Sequence, residues 1–172
     1  LNGSAAGTNG ATVVSYSWTK KSGPGPGTIN TPGAATTTVT GLAQGTYVFT
    51  LTATDNHGLS NASDVTITVN PAANIPPIAN AGSNISITLP TNNTSLDGSA
   101  SNDPDGSISS YSWVKTSGPS SYNLNKPNSA KTQLNNLVQG VYVFTLTVTD
   151  NSGATSTATV TVTVISPNQP PV

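Results

Sequence analysis

The amino-acid sequence repeats itself, because residues 1–70 align without a gap on residues 96–165. Roughly half of the aligned positions are identical, far above chance and typical of one module that occurs twice. The shared segments include Ser-Tyr-Ser-Trp at 15–18 and 110–113, and Tyr-Val-Phe-Thr-Leu-Thr at 47–52 and 142–147. The repeat therefore predicts two tandem domains of one fold, each close to the size of a single sandwich domain.

The two copies differ at their N-terminal ends. Residues 76–95 precede the second copy, and the first copy has no matching segment. We therefore expect a first domain at 1–70 that lacks its N-terminal strand and a complete domain at 71–167. On this interpretation Leu1 is not a natural terminus. An open sheet edge should make residues 1–70 unstable alone, and preceding residues should stabilise them.

The hydrophobic pattern has the period of a β-strand throughout. Apolar residues alternate with Thr or Val over residues 141–149 and 156–164, which predicts strands with one buried face. Turn sequences such as Asn-Ser-Gly separate such segments, and no segment has a helical period. In the complete copy we predict strands near residues 84–89, 94–97, 108–116, 132–137, 141–149 and 156–164. The chain should be an all-β protein.

Two proline-containing segments resemble connections between domains. Asn74 and Ile75 precede a Pro-Pro pair, and residues 168–172 repeat that pattern and should begin the linker to a further repeat. Paired prolines cannot donate ladder hydrogen bonds and favour extended backbone, so the linker should be short and fairly stiff.

Charge and composition exclude several functions. Only 6% of the residues are charged, against about 25% in an average protein. With a net charge of −1, the chain has no basic patch for nucleic acid and no polybasic helix for membrane binding. It has no Cys, and its single His, His57, cannot form a zinc site or a catalytic triad by itself. We therefore expect no enzymatic activity, no nucleic-acid binding and no membrane insertion in this segment.

Several motifs together resemble the PKD (polycystic kidney disease) domain family of immunoglobulin-like β-sandwiches. They are Tyr-Ser-Trp at 111–113, Ser-Gly-Pro at 117–119, the segment 140–151 that ends in Thr-Asp-Asn, and the opening 74–82. The resemblance covers the second copy and all of the first. It implies two tandem PKD-type β-sandwiches, the complete one with seven strands. The sub-type resembles modules of large secreted proteins of Bacteroidetes and of some animal receptors.

The acidic residues are concentrated in the second copy. Asp103 and Asp105 flank Pro104 and precede a Gly, which places two carboxylates on one tight loop. Calcium takes about six to eight oxygen ligands on flexible loops, and such a loop supplies several of them. The resemblance implies a calcium site formed by Asp103, Asp105, Asp150, Asn74 and the carbonyl of Ile75. The alternative is that these carboxylates only form turns.

The first copy should bind no calcium. Thr8 and Gly10 stand where the second copy has Asp103 and Asp105, so only Asp55 remains. A single carboxylate is a poor calcium site. Asp55 and Asp150 each precede an Asn-Xaa-Gly turn, which is a good position for a turn-forming Asp.

The aromatic residues have a structural and a functional interpretation. Trp18 and Trp113 could form a sugar-stacking platform, but a sandwich of this kind needs a core Trp on this strand. Tyr122 has no aromatic counterpart in the first copy, where Gly27 stands. It is the best candidate for an exposed aromatic that contacts a ligand, or it covers the sandwich edge.

The expected function is mechanical. The chain should be a non-catalytic repeat module of a large secreted or cell-surface protein, which serves as an extended stalk or spacer in adhesion. The alternative is an accessory carbohydrate-binding or spacer module of a secreted polysaccharide hydrolase. Expected partners are neighbouring repeats of the same chain, surface glycans or other proteins, in an extracellular location.

Overall fold

In the computed structural model, which describes residues 1–168, the chain forms two compact units, Leu1–Ala72 (unit 1) and Ala73–Val172 (unit 2). Residues 169–172, which include most of the expected linker at 168–172, lie outside the described part. Residues 1–168 form strands and no helix, which confirms the all-β prediction. They contain no helix that could span a membrane.

Unit 2 has seven strands within its described residues, as the family resemblance implied. The strands are β6 (Ile85–Thr88), β7 (Thr94–Asp97), β8 (Ile108–Ser117), β9 (Asn123–Leu124), β10 (Lys131–Asn135), β11 (Gly140–Asp150) and β12 (Thr155–Ile165). One sheet has the order β6-β12-β11-β8 and the other the order β7-β10-β9. Strand β6 pairs parallel to β12, with Ile85 opposite Val162 and Ile87 opposite Val164. The other strand pairs of unit 2 are antiparallel.

Unit 1 repeats the last five of these strands. They are β1 (Val13–Ser22), β2 (Thr28–Ile29), β3 (Val39–Thr40), β4 (Gly45–Asp55) and β5 (Ser60–Val69). The three long strands form a sheet of order β1-β4-β5, and β2 pairs with β3. Among residues 1–168 no strand pairs with the outer edge of β5, where β12 of unit 2 has β6. Unit 1 is therefore a sandwich without its N-terminal strand, as the repeat predicted.

The core of each unit is built on its tryptophan. Trp18 is 4% exposed and Trp113 is 2% exposed, which confirms the prediction of core residues. The indole N–H of Trp113 donates to the carbonyl of Ser129 at 3.1 Å, and that of Trp18 donates to the matching carbonyl of Ala34 at 3.1 Å. Each ring thus fills the interior while its one polar atom is satisfied.

The tyrosine at the third position of each long central strand, β4 and β11, is also buried. Tyr47 and Tyr142 have no exposed surface, and each accepts a hydrogen bond at its hydroxyl from the backbone N–H four residues earlier. The hydroxyl of Tyr142 also donates to the carbonyl of Ser121. These contacts agree with packing residues that fix a loop to the sheet, not with ligand-binding side chains.

Candidate functional site

Strand pairing brings Asp103, Asp105 and Asp150 to one end of unit 2. Strand β8 lies antiparallel to β11, with Ile108 opposite Asp150. The loop before β8 therefore lies beside the turn after β11. Two hydrogen bonds join them: the N–H of Ser107 donates to Oδ1 of Asn151 at 2.8 Å, and the N–H of Asn151 donates to the carbonyl of Ser107 at 3.0 Å. The loop that carries Asp103 and Asp105 is thus held beside Asp150.

Asp150 is buried and uses both carboxylate oxygens. Its Oδ1 accepts the backbone N–H groups of Ser152 and Ala154, each at 2.8 Å. Its Oδ2 accepts the side-chain amide of Asn74 at 2.7 Å. The Asn74 hydrogen bond and then the turn N–H groups favour the charged form and lower the pKa of Asp150 despite burial. Asp150 therefore forms its own turn and also holds the segment that enters unit 2.

Asp105 makes a second contact to the same segment. Its Oδ2 accepts the backbone N–H of Ile75 at 3.1 Å. Ile75 and Asn74 are thus attached to two different loops of unit 2. Ile75 contacts a residue 30 positions further along the chain, and Asn74 contacts one 76 positions further along. The structure brings these two residues together with Asp105 and Asp150.

Asp103 lies in this cluster without a partner. Both of its carboxylate oxygens are shielded from solvent and make no normal hydrogen bond within residues 1–168. Burial raises the pKa of Asp103, and the carboxylates of Asp105 and Asp150 add to this rise. The backbone N–H of Asp105 is close enough to oppose the rise but makes no hydrogen bond of normal geometry. Gly106 packs tightly here, since a Cβ at this position would lie 2.5 Å from Oδ2 of Asp103. A shielded carboxylate with no donor is the unusual feature of this cluster.

The carboxylates do not by themselves form a metal centre. Within residues 1–168, no three acidic or histidine side chains converge closely enough to hold a metal ion. The oxygens of Asp105 and Asp150 that face the entering segment are occupied by N–H donors.

Unit 1 has the same turn, formed by Asp55, but it has no carboxylates at the positions that match Asp103 and Asp105. Oδ1 of Asp55 accepts the N–H groups of His57 and Leu59, each at 2.9 Å, as Asp150 does in its own turn. Asn56 joins this turn to Thr12 with the same pair of hydrogen bonds that Asn151 makes with Ser107. The turn-forming role predicted for Asp55 and Asp150 is thus confirmed in both units. Only Asp150 has the additional contact to Asn74.

Three residues of this region were not predicted from the sequence. Asn151 connects the two loops, the hydroxyl of Ser109 donates to the carbonyl of Asp150 at 2.6 Å, and the hydroxyl of Ser156 accepts the N–H of Ala79 at 3.3 Å. The Asp-Asn pair recurs at the turn of both copies, which was the available signal for Asn151. The serines carry no such signal in a chain rich in Ser and Thr.

Comparison with known proteins assigns the family. The model of the K319L-like, PKD domain family matches residues 1–69 and 81–164. The chain belongs to this PKD family. The two matched ranges cover one PKD domain in each unit, which agrees with the tandem repeat.

Two mammalian proteins are among the curated relatives that match. The chain is 41% identical over 149 residues to the mouse dyslexia-associated protein KIAA0319-like protein, covering 85% of the chain and 14% of the relative. It is 41% identical over 137 residues to the human dyslexia-associated protein KIAA0319, covering 78% and 13%. It therefore spans about one-seventh of the length of these relatives. The Bacteroidetes-type source that we expected is not confirmed by these relatives and stays a prediction.

One solved structure is similar in both sequence and fold. The solution structure of the PKD domain from the KIAA 1837 protein shares 39% sequence identity with the chain, with a TM-score of 0.52. The match covers 59% of this chain and 99% of that domain. The PKD assignment thus rests on sequence and structure together.

Trp18 and Trp113 do not form the sugar-stacking platform considered from the sequence, because both are buried. Tyr122 is 38% exposed, and its ring packs edge-on against Phe144 with 6.1 Å between the ring centroids. The ammonium of Lys115 lies 4.5 Å from the centroid of the Tyr122 ring. Tyr122 therefore covers the edge of the core.

Proposed function

We propose that the chain is a non-catalytic, extracellular spacer of a larger cell-surface protein, in which PKD units separate an adhesive region from its anchor. The observation that carries this proposal is the attachment of Asn74 and Ile75 to Asp150 and Asp105. Because these contacts fasten the entering segment to unit 2, few residues remain free between the two folded units. The small share of each relative that the chain covers also supports a role as one module among others.

The spacer function can be tested on cells with a thick glycan coat. A ligand-binding domain is displayed through zero, one or two copies of the chain, and capture of ligand-coated beads is counted. We expect capture to increase with each copy, and an unrelated pair of folded domains should act equally well. Cells that display the chain without the ligand-binding domain should capture no beads. Direct binding of glycans or cells by the chain itself would instead support a carbohydrate-binding or adhesive module.

We propose in addition that the acidic cluster of unit 2 binds calcium. Asp103, Asp105 and Asp150 carry the hard oxygens that calcium prefers, and the three carboxylates would have to move closer together to hold the ion. The partnerless carboxylate of Asp103 supports the proposal, because an unpaired buried charge is costly without a cation. Asn74 would offer its amide oxygen and Ile75 its carbonyl. The bound ion would neutralise the three carboxylates and hold the entering segment against the loops.

Calorimetric titration of the full chain with calcium tests this site. We expect one site with a Kd of about 0.1–1 mM, in the range of extracellular calcium modules. Asp105→Ala should abolish binding because it removes a carboxylate without disturbing the Asp150 turn. Asp97→Ala is the matched control, since Asp97 pairs with Lys131 at 2.8 Å instead. Equal binding by both variants, or no heat with the parent chain, would refute the site.

A further inference from the structure

Lys126 of unit 2 has a backbone conformation that a lysine seldom adopts. Its φ of +86° lies in the left-handed region, which costs free energy for a residue with a Cβ. Hydrogen bonds hold the loop on both sides of it. The N–H of Asn125 donates to the carbonyl of Gln133 at 2.9 Å, and the carbonyl of Pro127 accepts the N–H of Trp113 at 2.8 Å. The surrounding structure thus fixes one strained residue, a combination that clusters at ligand sites.

The same loop contains a buried hydroxyl without a partner. In unit 1, Thr31 has no positive φ, and its backbone N–H donates to the hydroxyl of Thr37 at 3.0 Å. Lys126 and Thr132 stand at the matching positions of unit 2. Thr132 is 3% exposed, and its hydroxyl makes no hydrogen bond within residues 1–168. Unit 2 therefore has two unfavourable features at this loop that unit 1 does not have.

Lys126 lines a polar pocket of unit 2. The pocket has a volume of about 330 Å³, and its lining includes Thr132 and the buried Leu96. The other lining residues are exposed and polar or charged: Ser95, Asp97, Asn125, Lys126, Lys131 and Gln133. Unit 1 has Thr31 and Thr36 at the positions of the two lysines. Two cations therefore line one pocket in a chain of which only 6% of the residues are charged.

The two lysines of the pocket differ in their partners. The ammonium of Lys131 pairs with the carboxylate of Asp97 at 2.8 Å. Hydrogen bonds from Lys131 and then Ser99 lower the pKa of Asp97 to about 2, so both members of this pair are charged at neutral pH. Lys126 forms no ion pair within residues 1–168. The pocket therefore carries one positive charge that no carboxylate compensates.

We propose that this pocket binds an acidic segment of another polypeptide, with a carboxylate of the segment against the ammonium of Lys126. The unpaired charge selects the partner by charge complementarity. The planar amides of Asn125 and Gln133 each offer donors and an acceptor, which suits the peptide groups of such a segment. A saccharide fits less well, because the described lining residues include no aromatic ring on which a sugar could stack. The pocket shares no residue with the acidic cluster, so the two proposals are independent.

Nuclear magnetic resonance on the full chain tests the proposal, with a synthetic hexaglutamate peptide as the probe. We expect saturable shifts of the side-chain amide signals of Asn125 and Gln133, and weaker binding in high salt, which screens exposed charges. A hexaglutamine peptide, which has the same backbone without the charges, should not bind. No saturable shift with hexaglutamate, or an equal shift with hexaglutamine, would overturn the proposal. Equally tight binding of an oligogalacturonate would also overturn it, because the site would then accept any polyanion.

Two variants of the chain distinguish this pocket from a general attraction of anions. Lys126→Gly removes the unpaired charge, and glycine adopts a positive φ without strain. It should weaken hexaglutamate binding about tenfold or more and raise the urea midpoint of unit 2, read from Trp113 fluorescence. Lys21→Ala removes one charge from unit 1, where Lys21 pairs with Asp64, and should bind as the parent chain does. Equal binding by the two variants would overturn the site, and a lower midpoint of Lys126→Gly would overturn the strain that supports it.

Discussion

Trp113→Ala is expected to destabilise unit 2 by about 3–5 kcal/mol, the usual cost of removing a large buried aromatic side chain. The ring is 2% exposed and lies in a core with Phe144, Leu146 and Val148, none of which has exposed surface. The substitution also leaves the carbonyl of Ser129 without its indole donor. Urea unfolding followed by circular dichroism measures the loss.

The neighbouring residue provides the control for this substitution. Val114 is 56% exposed on the same strand, so Val114→Ala should change the stability of unit 2 by less than about 0.5 kcal/mol. Fluorescence of Trp18 reports unit 1 in the Trp113→Ala chain and should show an unchanged transition. A small effect of Trp113→Ala, together with lost glycan binding, would contradict the core assignment and restore the sugar-binding interpretation.

Unit 1 is expected to unfold at a clearly lower urea concentration than unit 2. Its core contains four buried residues, Trp18, Tyr47, Phe49 and Leu51, whereas the core of unit 2 contains twelve. Full burial of a Val or Ile side chain contributes about 1.5–3 kcal/mol to the free energy of unfolding. Val65, Ile67 and Val69 of β5 are incompletely buried, so each contributes less than this amount. The difference in unfolding free energy should therefore be several kcal/mol.

Single-tryptophan chains measure this difference directly. Trp113→Phe leaves Trp18 to report unit 1, and Trp18→Phe leaves Trp113 to report unit 2. In each chain the substitution lies in the other unit, so its cost does not enter the reported transition. Coincident transitions in the two chains would show that the open edge of β5 costs unit 1 nothing, and would contradict the expectation.

Side-chain periodicity predicted five of the seven strands in the described part of unit 2 to within one residue at each end. Strand β7 begins and ends at the predicted residues 94–97, and β11 extends the prediction of 141–149 by one residue at each end. The short strand Asn123–Leu124 was missed, because two residues cannot display a period of two. Its partner β10 was predicted at residues 132–137, and the structure has it at Lys131–Asn135.

The acidic cluster was only partly predictable. The spacing of Asp103 and Asp105 places them on one loop, but their proximity to Asn74 depends on sandwich topology, and only the family resemblance implied it. The turn-forming role of Asp150 followed from the Asn-Xaa-Gly sequence after it, and its carboxylate accepts the backbone N–H groups of Ser152 and Ala154 there. Ile75 was expected to contribute its carbonyl to a calcium site, but in the structure its N–H donates to Asp105. Which of the two backbone groups faces Asp105 depends on the local backbone orientation.

Two copies of one PKD module have diverged, and only unit 2 has an acidic cluster that fastens its entering segment. We propose that this cluster also binds calcium. Thermal unfolding of the two single-tryptophan chains with and without 10 mM calcium, about ten or more times the expected Kd, tests this claim most directly. Calcium should stabilise the Trp113 transition by about 1.4–2.7 kcal/mol and leave the Trp18 transition unchanged. Asp105→Ala should abolish the shift. No shift at Trp113, or equal shifts at both tryptophans, would contradict the account.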